Sequence, residues 1–159
     1  MKYNQSVHDF VLKWGFVIAL AFAGAILLLQ GCKKGDNPAA QLYEEYFEEN
    51  VLNSDFIVDL ATDNGTDITT QYSGWKFRLL KNTYYDGPMT AVKNGTTYSG
   101  TWLCDETYGR LTISITQPSV PAEFTFLNKA WRFTRKDLPV MELAPWGSTA
   151  PQVLHMRRL

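Results

Sequence analysis

Polarity along the chain changes its period twice. From Trp14 to Leu29 no residue is charged, and Ala, Leu and Phe dominate. From Ala39 to Asn53 apolar residues return at helical spacing. Tyr43, Tyr46, Phe47 and Val51, with Leu42 alongside, leave Glu44, Glu45, Glu48 and Glu49 on another face, which is the pattern of an amphipathic helix. Asn37-Pro38 marks its start, with Asn capping free amides and Pro preset for the first helical position. A helix lying on a membrane would carry Lys and Arg on its polar face. The acidic face therefore predicts a helix over 38–53 docked on its own domain, with a partner-binding helix as the alternative.

From Ser54 onward the period drops to two, and β-branched and aromatic residues take over. Phe56, Val58 and Leu60 share one face of a first strand that ends at Asp63-Asn64-Gly65, where Asn-Gly supplies a tight hairpin turn. Asp67 to Ser73 is a polar approach to a second strand, Gly74 to Lys81, in which Trp75, Phe77 and Leu79 alternate with Lys76 and Arg78. Asp86-Gly87-Pro88 reads as a turn into a third strand that runs to Lys93. Asn94-Gly95 turns the chain again, and Thr97 to Cys104 forms the fourth strand, with Tyr98, Gly100 and Trp102 on one face. The fifth, Arg110 to Thr116, alternates Leu111, Ile113 and Ile115 with Thr and Ser. Pro118 and Pro121 open a longer connection that Phe124, Phe126 and Leu127 tuck onto the core. Trp131 to Lys136, Val140 to Ala144 and Gln152 to Arg158 complete eight strands, with Leu138-Pro139 as a turn. Eight short strands joined by hairpins predict an all-β antiparallel meander, closed into a barrel so that no edge is left exposed.

The apolar run ends in Leu29-Gln30-Gly31-Cys32, which has the form of a bacterial lipobox. Lys2 and Lys13 precede it as the positive region of an export signal. The rival reading is a single spanning helix, since the uncharged stretch is close to the ~20 residues that cross a bilayer. Such a helix has no need of the Leu-x-Gly-Cys tetrad. The expected organisation is a signal peptide over 1–31, a lipidated tether over 32–37, the helix over 38–53 and the barrel over 54–159. Cys32 is the expected site of lipid attachment, the membrane is a partner through that anchor, and the location is the cell envelope, at the outer membrane.

Only two cysteines occur in the 159 residues, so with Cys32 acylated Cys104 has no partner for an intramolecular disulfide. Charges are segregated: Asp36 to Asp67 contains acids and no Lys or Arg, whereas Arg110 to Arg158 is rich in both. An exported chain whose cations are spread over several strands is not expected to bind nucleic acid.

The rhythm of residues over Ser54 to Leu159 resembles the small lipocalin-like domains of exported lipoproteins of Gram-negative bacteria. It is carried by Asp67-Ile68-Thr69, Tyr72-Ser73-Gly74-Trp75-Lys76-Phe77, Gly95, Gly100-Thr101-Trp102, Leu111-Thr112-Ile113, Leu127, Trp131-Arg132-Phe133 and Met141-Glu142-Leu143. Secreted lipocalins carry Gly-x-Trp on their first strand, and here it falls on the fourth. The resemblance implies an eight-stranded lipocalin-like barrel and, more weakly, a small apolar ligand.

Outside the leader the only histidine is His155, so His-based metal sites and Ser-His or Cys-His catalysis lack their parts. His155 is expected at the surface or rim. Cys104 has no flanking basic cluster to activate it and is expected to be a structural thiol. Asp63-Asn64-Gly65-Thr66-Asp67 lacks the regular acid spacing of a calcium loop. No catalytic residue, metal ligand or cofactor is expected, and the chain is not expected to be an enzyme. Trp75, Tyr98, Trp102 and Trp131 are the candidate ligand-binding residues, since all fall on apolar strand faces. Rings in those positions either line a cavity or fill the barrel. Two functions follow: an anchored barrel that binds a small apolar ligand or presents an interaction surface, or an accessory subunit of an envelope assembly with a solid core. Tyr84-Tyr85 and Trp146, in or beside loops, are candidates for partner contact or for covering a barrel end.

Overall fold

The computed structural model describes residues 38–159. The expected signal peptide, Cys32 anchor, tether and Asn37 cap all lie outside the described residues. No helix among the described residues is long and apolar enough to cross a membrane.

Helix α1, Pro38–Asn50, is followed by strands β1 (Asp55–Asp63), β2 (Thr66–Asp67), β3 (Lys76–Leu79), β4 (Asp86–Lys93), β5 (Thr96–Cys104) and β6 (Arg110–Gln117). A one-turn helix, α2 (Phe124–Leu127), precedes β7 (Ala130–Arg135), β8 (Val140–Pro145) and β9 (Val153–Arg158). Each strand from β3 to β9 pairs antiparallel with the next, and β1 pairs with both β3 and β9, so eight strands close a barrel. The two-residue β2 merely extends the first hairpin, pairing with Thr62 and Asp63. Asn64 and Asn94 have φ of 51° and the glycines after them 80°, as expected of tight hairpin turns whose twist matches the strands they join.

Two parts of the wall are completed by side chains. Beyond Phe56, β1 has no ladder with β3. Thr69 fills in, its Oγ1 accepting from the Ala61 N–H at 2.9 Å. Likewise β6 pairs with β7 only over Arg110 to Thr112. Farther along, the Asn128 amide takes a strand's place, accepting from the Ile115 N–H at 2.7 Å and donating to the Ile115 carbonyl at 2.9 Å. These contacts satisfy backbone groups that could not otherwise be buried without cost.

Two expectations are corrected. Asp86-Gly87-Pro88 belongs to β4 and pairs with Leu103, Trp102 and Thr101, so the turn lies earlier in the chain. A Cβ on Gly87 would lie 1.9 Å from the Leu80 carbonyl oxygen, so this glycine allows close approach and does not break the strand. Helix α1 is shorter than 38–53 and is rotated. Phe47 and Val51 are buried, but Leu42, Tyr43 and Tyr46 are 66%, 52% and 41% exposed. In this seating Glu48 reaches Lys81 at 2.5 Å and Glu44 accepts from the Tyr85 hydroxyl. Polar contacts with the barrel rim thus accompany a seating in which Phe47 alone of the α1 rings enters the barrel end.

Candidate functional site

The interior is closed by its own rings. At one end of the barrel α1 inserts Phe47, whose ring lies 5.6 Å from that of Trp102 and 4.7 Å from that of Tyr108. At the other end α2 inserts Phe124 and Phe126, and the Tyr72 hydroxyl donates to the Glu123 carbonyl at 2.7 Å. Among the described residues no Asp, Glu, Lys, Arg, Asn, Gln, Ser or Thr side chain is buried. Charged, amide and aliphatic hydroxyl side chains are therefore confined to the rims and the outer wall.

The four candidate ligand-binding residues do not surround one hollow. Trp75 and Tyr98 meet near the α2 end, with ring centroids 5.5 Å apart and Phe124 packed against both. The buried Trp75 Nε1 has no hydrogen-bond partner among the described residues. Trp131 packs on Phe126 at 5.3 Å and donates its indole N–H to the Leu127 carbonyl at 2.9 Å. Trp102 lies near the α1 end and donates to the Leu80 carbonyl at 2.8 Å.

The concave surfaces lie outside the lumen. A slot of about 30 Å³ separates α1 from the rim, bordered by Tyr43, Tyr46, Phe133 and Met141 with Lys136 at its edge. The Tyr46 hydroxyl donates to the Lys136 carbonyl at 3.2 Å, and Lys136 Nζ lies 5.7 Å from the Tyr43 ring centre. The hydrogen bond from Lys81 holds the Glu48 carboxyl below its ordinary range. The bond to Glu44 pushes the Tyr85 phenol up to about 12. A groove of mixed character, about 340 Å³, runs beside β4, lined by Lys81, Asn82, Asp86 and Thr101 with Gly87, Pro88 and an edge of Trp102.

At the α2 end, Asp63, Gln71, Glu123, Thr125, Lys129 and Gln152 line a polar groove of about 370 Å³. Lys129 Nζ donates to Gln152 Oε1 at 2.9 Å, and Gln152 Nε2 donates to Asp63 Oδ1 at 2.7 Å. Lys129 also rests over the Phe126 and Trp131 rings at 4.8 and 5.2 Å. Burial lowers the pKa of its ammonium. This relay escaped the sequence reading because Asp63 and Gln152 are 89 residues apart and no local pattern joins them.

Among the described residues no group of three His, Cys, Asp or Glu residues is placed to hold a metal ion. His155, half-buried on β9, pairs with Glu142 of β8. Trp146 is 45% exposed in its loop, with the Arg110 guanidinium 5.5 Å from its ring centre. Tyr85 packs beside Tyr108 and helps cover the α1 end. Cys104 is buried and forms no disulfide among the described residues, and burial pushes its thiol up to about 12, aided by Asp105. Only the thiolate reacts readily. A thiol-specific reagent at neutral pH should therefore label Cys104 in the unfolded chain and leave it untouched in the folded one. Rapid labelling of the folded protein would show a thiol that the barrel does not cover.

No family model matches the chain, and no curated protein matches it. Among solved structures, the crystal structure of a DUF4847 family protein from Bacteroides vulgatus ATCC 8482 is similar, with a TM-score of 0.51 at 16% identity. The likeness covers 69% of this chain and 95% of that one. At that identity the two share a fold, an eight-stranded antiparallel barrel to which the lipocalin-like description fits coarsely.

Proposed function

We propose that the protein is a non-enzymatic lipoprotein of the Gram-negative cell envelope, anchored at the outer membrane through Cys32, whose barrel presents an interaction surface. The filled lumen carries this reading: Trp102 and Trp131 are each no more than 1% exposed. A site for a drug-sized ligand needs about 300 Å³ or more. The two grooves of that order are open and lie outside the lumen, one of them mainly polar and the other reaching only one of the four candidate rings, Trp102. Capture of a small apolar molecule is thereby the weaker reading. Native mass spectrometry of the whole protein, purified in detergent from its own cell, tests the choice. The expected mass is that of the acylated chain alone, and a stoichiometric small molecule retained on it would restore the ligand-binding reading.

The anchor is tested separately. Cys32→Ser removes the acceptor thiol, so the variant should remain an uncleaved precursor, larger on a gel and without acyl chains. A variant that still matured to the wild-type mass and fractionated with membranes would remove Cys32 from the account.

A further inference from the structure

Seven large hydrophobic side chains are exposed among the described residues: Leu42, Tyr43, Tyr46, Leu103, Val120, Trp146 and Leu159. Five of them gather at the α1 end. Leu42, Tyr43 and Tyr46 are on α1 itself, Leu103 is the penultimate residue of β5, and the Leu159 N–H donates to the Asp55 carbonyl where β1 begins. At ~100° per residue, the α1 residues divide into three stripes. Glu44, Phe47 and Glu48 face the barrel, Glu45 and Glu49 face solvent, and Leu42, Tyr43 and Tyr46 form an apolar flank between them. Lys136 lies beside that flank, its Nζ near the Tyr43 ring.

The anchor position indicates what covers this flank. Cys32 precedes Pro38 by six residues, and an extended chain spans at most ~3.6 Å per residue. The first turn of α1 therefore cannot stand more than about 20 Å from the lipid that holds Cys32. Tethering makes contact with that bilayer intramolecular, so even weakly favourable apolar contacts are populated. Glu45 and Glu49 keep α1 from lying along the surface on its polar face. On the adjoining flank, however, Leu and amphipathic Tyr rings, with a long cationic side chain able to reach headgroups, suit the interfacial layer. The α2 end has no such apolar cluster among the described residues, and its groove carries Asp63 and Glu123 beside Lys129.

Resting on the lipid-anchored reading above, we propose that the α1 end of the barrel sits on the bilayer, with Leu42, Tyr43 and Tyr46 at headgroup level. The polar groove at the α2 end then faces away from the membrane and is the surface free to meet a partner.

Spin labelling of the full processed protein in phosphatidylethanolamine and phosphatidylglycerol vesicles tests this. Single variants Leu42→Cys, Tyr46→Cys and, at the α2 end, Val120→Cys each accept one nitroxide, because Cys104 is buried. The labels at 42 and 46 should collide with oxygen several-fold more, and with an aqueous nickel chelate several-fold less, than the label at 120. Equal nickel access at all three sites would overturn the orientation. So would spin-spin broadening at 42 or 46 that disappears on dilution with unlabelled protein, because a second copy would then cover the flank. The intact mass separates the two levels of the argument. An unacylated chain that leaves the vesicles overturns the anchor and the orientation together, whereas an acylated, vesicle-bound chain with aqueous labels at 42 and 46 overturns the orientation alone.

Discussion

Trp131→Ala should remove most of the stability of this barrel. The ring is fully buried, lies against Phe126 and carries the hydrogen bond to the Leu127 carbonyl. That bond fastens α2 to β7 and so keeps the α2 end of the barrel covered. Truncating a buried Trp costs about 3–5 kcal/mol through lost transfer energy and the cavity left behind. Domains are held folded by only ~5–15 kcal/mol, and the exposed Leu127 carbonyl adds to the loss. Urea denaturation should show a large drop in midpoint or no folded baseline. Trp102→Ala should behave similarly, since it vacates the space under Phe47 and frees the Leu80 carbonyl. Trp146→Ala is the contrast: the side chain is half-exposed, and such surface changes stay near ±0.5 kcal/mol. If Trp131→Ala and Trp102→Ala cost as little as Trp146→Ala, the rings border a hollow, and ligand binding becomes the better reading.

Gly100→Ala should be nearly as damaging, although it adds only one methyl group. A Cβ there would lie 1.9 Å from the Ser114 carbonyl oxygen and 2.5 Å from the Ile115 Cα. Both obstacles are backbone, so no rotamer change relieves them. The register of β5 on β6 shifts between Ser99 and Gly100, and glycine in a strand commonly marks such close approach of another backbone. The methyl group must push β5 and β6 apart in a wall that also holds the Asn128 bridge to Ile115. Overpacking costs about 1–3 kcal/mol or more, and the expected loss is at the upper end because ladder hydrogen bonds are strained as well. The urea midpoint should fall with an unchanged slope. Thr101→Ala, on the exposed side of the same strand, is the control and should be mild. Wild-type stability for Gly100→Ala would mean that β5 and β6 lie farther apart than described.

Much of the candidate surface could not be read from the chain. The grooves are lined by ordinary residues drawn from distant segments. The Asp63, Gln152 and Lys129 relay exists only because closure sets β9 beside β1. The rotation of α1 was hidden for a related reason. Helical periodicity located an apolar face but could not show how it seats on the barrel, where Glu44 and Glu48 meet Tyr85 and Lys81, residues more than thirty positions away. Gly87 misled because Asp-Gly-Pro has the composition of a turn, while its actual role depends on how close Leu80 passes.

The sequence by itself determined the class of fold, the faces of most strands and the sharpest turns. Leu60, expected to share the core face of Phe56 and Val58, is the exception, because a bulge after Val58 buries Ala61 in its place. Alternation places successive side chains on opposite sides of a sheet whatever the rest of the chain does. Trp75, Phe77 and Leu79 are accordingly buried on one side of β3 and its approach, as are Leu111, Ile113 and Ile115 on β6, and Asn-Gly imposes its own backbone angles. Closure was decided only by the tertiary structure. The pairing of Phe56 with Arg158, the wall positions taken by Thr69 and Asn128 and the filling of the lumen from both ends all depend on register and curvature summed around eight strands. Local period carries no information about that sum. Whether the aromatic rings would line a cavity or close it was for the same reason settled by how the two helices seat in the barrel, with Phe47 at one end and Phe124 and Phe126 at the other.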